Sequence, residues 1–251
     1  MSNNNINYIN NNINYNISEF QSNLEELGIF LSDKQMEQFI AYYELLTEWN
    51  SFMNLTAITD FDQVIKKHFL DSLSLVKAYD LSKEIKVIDI GTGAGFPGIP
   101  LKIAFPHLEV TLLDSLNKRV KFLNEVKERL ALTNLEILHG RAEDFAKPEK
   151  LREKYDLCVS RAVANLSTLS ELCLPYVKVG GRFISYKSEK IKEESIAAKK
   201  AIKILGGEVE KQVEFTFSDE KLYRNLFVIK KINPTPKIYP RRAGLPAKEP
   251  I

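Results

Sequence analysis

Cysteine is scarce in this chain, and so are most of the features that assign a protein quickly. Its two cysteines, Cys158 and Cys173, form neither a disulfide framework nor a metal-ligand spacing, so a reducing compartment is expected and a metal centre is not. No stretch approaches the roughly 20 apolar residues of a membrane span. The N-terminus has neither the basic region nor the apolar core of an export signal, so a cytoplasmic protein is expected, acting as a monomer. Charge of one sign is lacking too: 35 Lys and Arg stand against 33 Asp and Glu, a net +2. A global polycation is thereby excluded, and any nucleic-acid contact must come from local patches.

The first 17 residues, MSNNNINYINNNINYNI, hold no charged side chain at all. Asparagine is a poor helix former and the scattered Ile and Tyr make no sustained period, which predicts a disordered extension over 1–17. From Ser18 the pattern turns helical. Ser32 or Asp33 can cap a helix whose Met36, Phe39, Ile40, Tyr43 and Leu46 recur at three- and four-residue steps, and Val64, Phe69, Leu73 and Val76 continue the series. A helical section over 18–80 should therefore pack on the remainder of the chain.

Over 81–232 strands and helices alternate, which predicts an α/β fold: a doubly wound, mostly parallel sheet of Rossmann-like type. Candidate strands are Val87 to Ile90, Glu109 to Asp114, Leu135 to His139, Tyr155 to Ser160 and Arg182 to Lys187. A helix over Asn117 to Leu132 carries Val120, Leu123, Val126 and Leu130 on one stripe. Val209 to Phe217 and Asn225 to Lys231 are close enough in sequence to form an antiparallel hairpin, giving the sheet an antiparallel last strand. A basic tail over 233–251 completes the chain.

VIDIGTGAGFPGIP, from Val87 to Pro100, carries the most chemistry. An apolar strand stops at Gly91, Gly93 and Gly95, where backbone can approach a ligand without a Cβ in the way. A dinucleotide fingerprint begun at Gly91 would need glycine where Phe96 stands, which spoils a pyrophosphate cradle and favours S-adenosylmethionine. Asp114 ends the next strand about 20 residues on, where a carboxylate meets ribose hydroxyls; a helix cap is the plainer alternative. Glu143, in the loop after the third strand, is balanced between a ligand contact and a helix-start acid.

WNSFMNLTAI from Trp49, HFLDSL from His68, DIGTGAGFPGIPL from Asp89, LLDSLNKRVKFL from Leu112, RAEDF from Arg141 and SRAVA from Ser160 together resemble the family of ribosomal RNA small subunit methyltransferase G, also called glucose-inhibited division B. The resemblance runs over nearly the whole chain after the asparagine segment. It implies cofactor contacts from Gly91, Phe96, Ala142, Glu143 and Arg161, and methylation of guanine N7 in the decoding-region loop of 16S rRNA. The tail looks like that of the family's longer members, whereas Ser188 stands where many members have glycine, after the lysine matching Lys187.

The residues also bear on the chemistry. No Asp or Asn beside prolines and an aromatic follows the fourth strand, as amine methylation requires, and Cys158 lies inside a strand rather than in a position to attack cytosine C5. Guanine N7 has a free lone pair and needs no general base, so catalysis reduces to positioning, with Arg161 as the residue expected to perform it. As a planar cation at the sheet edge it could stack on guanine, contact the cofactor or hold phosphate, and an internal salt bridge is the plainer alternative. Because N7 faces the inaccessible major groove of A-form RNA, the base must be looped or flipped out. His68, Lys118, Arg119, Lys187, Arg241 and Arg242 are the candidate RNA contacts. Deleting the tail from Pro234 is expected to weaken RNA binding and spare the cofactor. A small-molecule methyltransferase and a non-catalytic RNA-binding protein are the competing readings.

Overall fold

In the computed structural model, residues 7–10, 13–161, 164–188, 191–217 and 222–251 are described. The chain opens with an antiparallel ribbon, β1 (Asn7–Asn10) and β2 (Ile13–Asn16), followed by α1 (Ser18–Glu26) and α2 (Asp33–Met53). A capping box starts α2, with Ser32 accepting from the Gln35 backbone and the Gln35 side chain accepting in return, so two donors at the helix start are satisfied at once. Then comes a broken helical run: α3 (Phe61–Val64), a π-helical turn over Ile65–Leu70, α4 (Asp71–Leu73) and a 3-10 turn over Ser74–Lys77.

The disordered extension expected over 1–17 is corrected for the described residues. Tyr15 and Ile17 are buried. The Tyr15 ring meets Tyr43 and Phe61 with centroids 5.9 and 4.8 Å away, and its hydroxyl donates to Glu44. Composition alone undervalues these two apolar side chains, because their partners lie in the helical section.

Alternating elements build the main sheet: β3 (Lys86–Ile90), α5 (Gly98–Ala104), β4 (Glu109–Asp114), α6 (Asn117–Arg129), β5 (Leu135–His139), α7 (Ala142–Phe145), β6 (Tyr155–Ser160), α8 (Leu166–Cys173), β7 (Val177–Lys187), α9 (Ile191–Ile204), β8 (Gly207–Phe217) and β9 (Leu222–Lys231). Strand order is β5-β4-β3-β6-β7-β9-β8. The first five strands run parallel, and β9 pairs antiparallel with both β7 and β8. Past their first residues β3 and β4 are buried throughout, as expected of central strands covered on both faces. The order reverses direction between β3 and β6, which places a crevice at their carboxyl ends.

The tail is not an extended arm. Arg152 donates to the carbonyls of Thr235, Pro236 and Tyr239, buried Lys231 donates to Thr235 Oγ1, and α10 (Leu245–Lys248) lies against α8, where Thr168 donates to the Pro246 carbonyl. Among the described residues no helix is long and apolar enough to cross a membrane, and no group of three His, Cys, Asp or Glu side chains is arranged to hold a metal ion.

Candidate functional site

Beneath the crevice, the glycine turn is held by side chains of the elements around it. Asp89, fully buried at the end of β3, accepts at one oxygen from Thr92 Oγ1 (2.7 Å) and from Gly98 N (2.9 Å). Burial outweighs those two bonds and pushes its carboxyl up to about 6. From the helical section Tyr42 donates to the Ala94 carbonyl at 2.5 Å, and Asp114 accepts from Gly93 N and Leu116 N, each at 2.9 Å. The turn is thus clamped from three elements. Gly95 has φ +101, and a Cβ there would stand 2.5 Å from Ile99 Cγ1 and 2.9 Å from Tyr42 Oη. Gly93 differs: its φ is +65, yet a Cβ would meet nothing within 4 Å.

Gly93 lies on the wall of a cavity of about 640 Å³, with Gly91, Phe96, Arg119, His68, Asp71, Arg161, Lys187 and Arg224 also on that wall. Its size falls within the roughly 300–1,000 Å³ of small-molecule sites. The open space over Gly93, bordered by backbone and by Phe96, is what a nucleoside sulfonium without phosphates requires, so the residues present fit S-adenosylmethionine.

Across the cavity stands a charged bridge. Asp71, almost fully buried, receives Arg161 Nη1 at 2.8 Å on one oxygen and Arg224 Nε at 2.6 Å on the other. Arg161 also donates to the Lys67 carbonyl at 3.1 Å, and its guanidinium lies over the Phe96 ring, 4.9 Å from the centroid. His68 stacks on the same ring at 4.6 Å. The π-helical turn carries His68 and ends immediately before Asp71; such turns are frequent at functional sites. Burial and the adjacent Arg161 drive the His68 imidazole down to about 4.

The predicted cofactor residues fall into two sets. Gly91, Gly93, Phe96 and Arg161 share the cavity wall, whereas Gly95 works behind it. Asp114 touches the wall through Gly93 and through Arg119 Nη1 at 3.3 Å, and Gly140 N donates to the Asp114 carbonyl, linking the next loop to it. In that loop the Ala142 carbonyl accepts from Tyr176 at 2.6 Å, and Glu143 accepts from Gly244 N at 2.7 Å.

Several predicted RNA contacts are engaged elsewhere. Lys187 donates to Glu194 and to the Ala164 carbonyl at 2.7 and 2.8 Å, and Arg241 is held by buried Glu171. His68 is neutral at ordinary pH and so offers no cation to a phosphate. Lys118 is exposed and donates to the Met53 carbonyl, and Arg242 remains exposed. Arg224 is a site residue that the sequence does not single out. Its only signal there is an arginine near the start of an apolar strand, since its partner Asp71 is 153 positions away.

Comparison with known proteins points the same way. The GidB family model, described as rRNA small subunit methyltransferase G, matches residues 35–223. The chain is 56% identical over 232 residues to the ribosomal RNA small subunit methyltransferase G of Lachnoclostridium phytofermentans, covering 92% of this chain and 96% of that one. To the protein of that name from Bacillus cereus it is 52% identical over 233 residues, covering 93% and 98%. Among solved structures, a SAM-dependent methyltransferase from Aquifex aeolicus superposes with a TM-score of 0.52 over 70% of this chain and 96% of that one, at 19% identity, a likeness of fold.

Proposed function

The chain belongs to the rRNA small subunit methyltransferase G family, and from that membership we propose that it transfers the methyl group of S-adenosylmethionine to N7 of a guanine in the decoding-region loop of 16S rRNA. Gly91, Gly93, Phe96, Asp114, Ala142, Glu143 and Arg161 hold the cofactor. When bound, S-adenosylmethionine supplies a sulfonium methyl group that an unprotonated ring nitrogen can attack without a base.

The observation that carries the choice of N7 is the lack of an available base on the cavity wall among the described residues. Both oxygens of Asp71 are taken by arginines, and its charge is balanced by them. Arg161 lies within 3.3 Å of His68 Nδ1, an arrangement that disfavours protonating the ring. Cys158 lies buried inside β6, with its thiol pushed well above the ordinary range by burial. An acceptor that needs no deprotonation suits such a wall. Arg161 is then a positioning cation: Asp71, Lys67 and the Phe96 face fix its guanidinium, so little ordering remains to be done when the base arrives.

The test is transfer of labelled methyl from S-adenosylmethionine to 16S rRNA or small subunits lacking the mark, followed by borohydride and aniline. Scission at a single guanine is the expected result. Methyl incorporation without that scission would move the acceptor atom, and cofactor binding without incorporation on either substrate would remove the rRNA reading.

A further inference from the structure

The C-terminal tail touches the cofactor loop at one backbone N–H. Gly244 N donates to Glu143 Oε1 at 2.7 Å, and Arg141 Nη2 lies 3.3 Å from the same oxygen. Glu143 Oε2 makes no hydrogen bond among the described residues. One turn of chain, α7, is therefore pinned from two directions: Tyr176 holds the Ala142 carbonyl from the core, and the tail holds the next side chain. Gly244 presents its N–H from a turn with φ +83, although a Cβ there would come no nearer than 3.9 Å to any atom; the backbone conformation, not space, calls for glycine.

The tail is latched a few residues earlier. Arg241 N and Nε donate to Glu171 Oε1 at 2.8 and 2.9 Å, and Nη2 donates to Oε2 at 2.6 Å. The Glu171 side chain is 1% exposed, so this is a buried, two-oxygen grip rather than a surface pairing. Thr168 and Arg152 hold the segments on either side.

We propose that the tail is a strap that positions Ala142 and Glu143 for the nucleoside end of the cofactor, with Arg241 as its latch and the Gly244 N–H as its point of action. This rests on the reading of Glu143 as a cofactor residue. The strap fixes one carboxylate oxygen and leaves the other to the ligand, so the loop is ordered before binding and the ordering cost is removed from cofactor affinity. It reverses the expectation that the tail serves RNA and spares the cofactor.

The full-length double variant Arg241→Met with Glu171→Gln breaks the latch without stranding a buried charge. Titration calorimetry with S-adenosylhomocysteine should show affinity reduced on the order of ten-fold. The KM for S-adenosylmethionine should rise in parallel, while kcat at saturating cofactor and the KM for rRNA stay within about two-fold. Arg241→Lys, which keeps a single-point charge, should fall between. Gly244→Val, whose branched side chain disfavours φ +83, draws the N–H away from Glu143 while leaving the latch residues in place, and it carries the test if the double variant does not fold. Unchanged cofactor affinity in a folded variant, or a change confined to the KM for rRNA, overturns the strap. Glu143→Gln separates the premise: if it keeps full cofactor affinity, the assignment of Glu143 itself fails, whereas weakened Glu143→Gln beside an unaffected double variant removes the strap alone.

Discussion

The floor of the cavity and its charged wall are built on opposite plans. In the floor, Asp89, Thr92 and Gly98 close their hydrogen bonds within nine positions of one another, and the Asp114 and Tyr42 side chains reach the turn from farther off, across 21 and 52 positions. In the wall, Asp71 meets Arg161 and Arg224 across 90 and 153 positions, so the bridge exists only once the helical section, the central strand β6 and the late strand β9 are assembled. A floor of local contacts responds to substitution mainly through backbone strain. A wall of distant charges responds through reaction rate and pH, because its geometry is supplied by the fold and its chemistry by a few terminal atoms.

Arg161→Ala breaks that contrast most severely. Removing one preorganised charged donor from an active site costs on the order of 10²–10³ in rate; single-turnover methyl transfer should fall by about that factor. The circular dichroism melt should stay close to that of the parent, since Arg224 still neutralises Asp71. A rate within a few-fold of the parent would move the positioning role elsewhere.

On the floor, two neighbouring glycines should diverge. Gly95→Ala combines φ +101 with contacts of 2.5 and 2.9 Å and should cost about 3 kcal/mol in urea unfolding. Gly93→Ala carries only the cost of a positive φ, about 1 kcal/mol, because its Cβ enters open space. Its larger effect should be on cofactor affinity. Equal stability losses would mean that the two positions are not distinguished by packing.

Titration separates floor from wall with opposite signs. His68 sits at about 4 when folded against an ordinary 6.5, so between those values the unfolded chain binds the extra proton and stability falls as the medium is acidified. Asp89 sits at about 6 against an ordinary 3.8; there the folded chain binds the extra proton, and acidification through that window stabilises. His68→Gln removes the first effect and leaves the second. Between pH 7.5 and 4.5 the variant should therefore gain about 2 kcal/mol relative to the parent, measured by urea unfolding at each pH. Parallel pH profiles would show that the imidazole is not the group responsible.

Legibility in the sequence divides along the same line. The glycine turn and four of the parallel strands can be read because their determinants are contiguous: β4, β5 and β6 run over Glu109–Asp114, Leu135–His139 and Tyr155–Ser160 as the apolar runs predict, and β3 begins one residue early at Lys86. β7 begins at Val177, ahead of the predicted Arg182, because Gly180 and Gly181 interrupt the apolar run without ending the strand. Arg224 and the Arg241–Glu171 latch are out of reach, since an arginine carries no mark of which distant carboxylate will hold it. Both chain ends depart from expectation for a related reason. Composition reports how polar a segment is, but Tyr15 is bound by aromatic partners in the helical section and the tail by Arg152 and Glu171.

The smallest expected effect concerns the RNA side, where the fold leaves few of the candidate cations uncommitted. Lys118 lies at the start of α6 with its ammonium on the Met53 carbonyl, a neutral partner that it can leave at little cost for a phosphate. If it is one of the phosphate contacts, Lys118→Ala should weaken binding of 16S rRNA a few-fold and reduce the slope of log affinity against log salt by about one. Cofactor affinity should not change. Lys187→Met should behave differently, because its ammonium is already paired with Glu194 and has no counterion to release: the salt slope should stay at the parent value while the start of α8 loosens around Ala164. A lower slope for Lys187→Met and an unchanged one for Lys118→Ala would invert the assignment and place the phosphate path along β7 instead of α6.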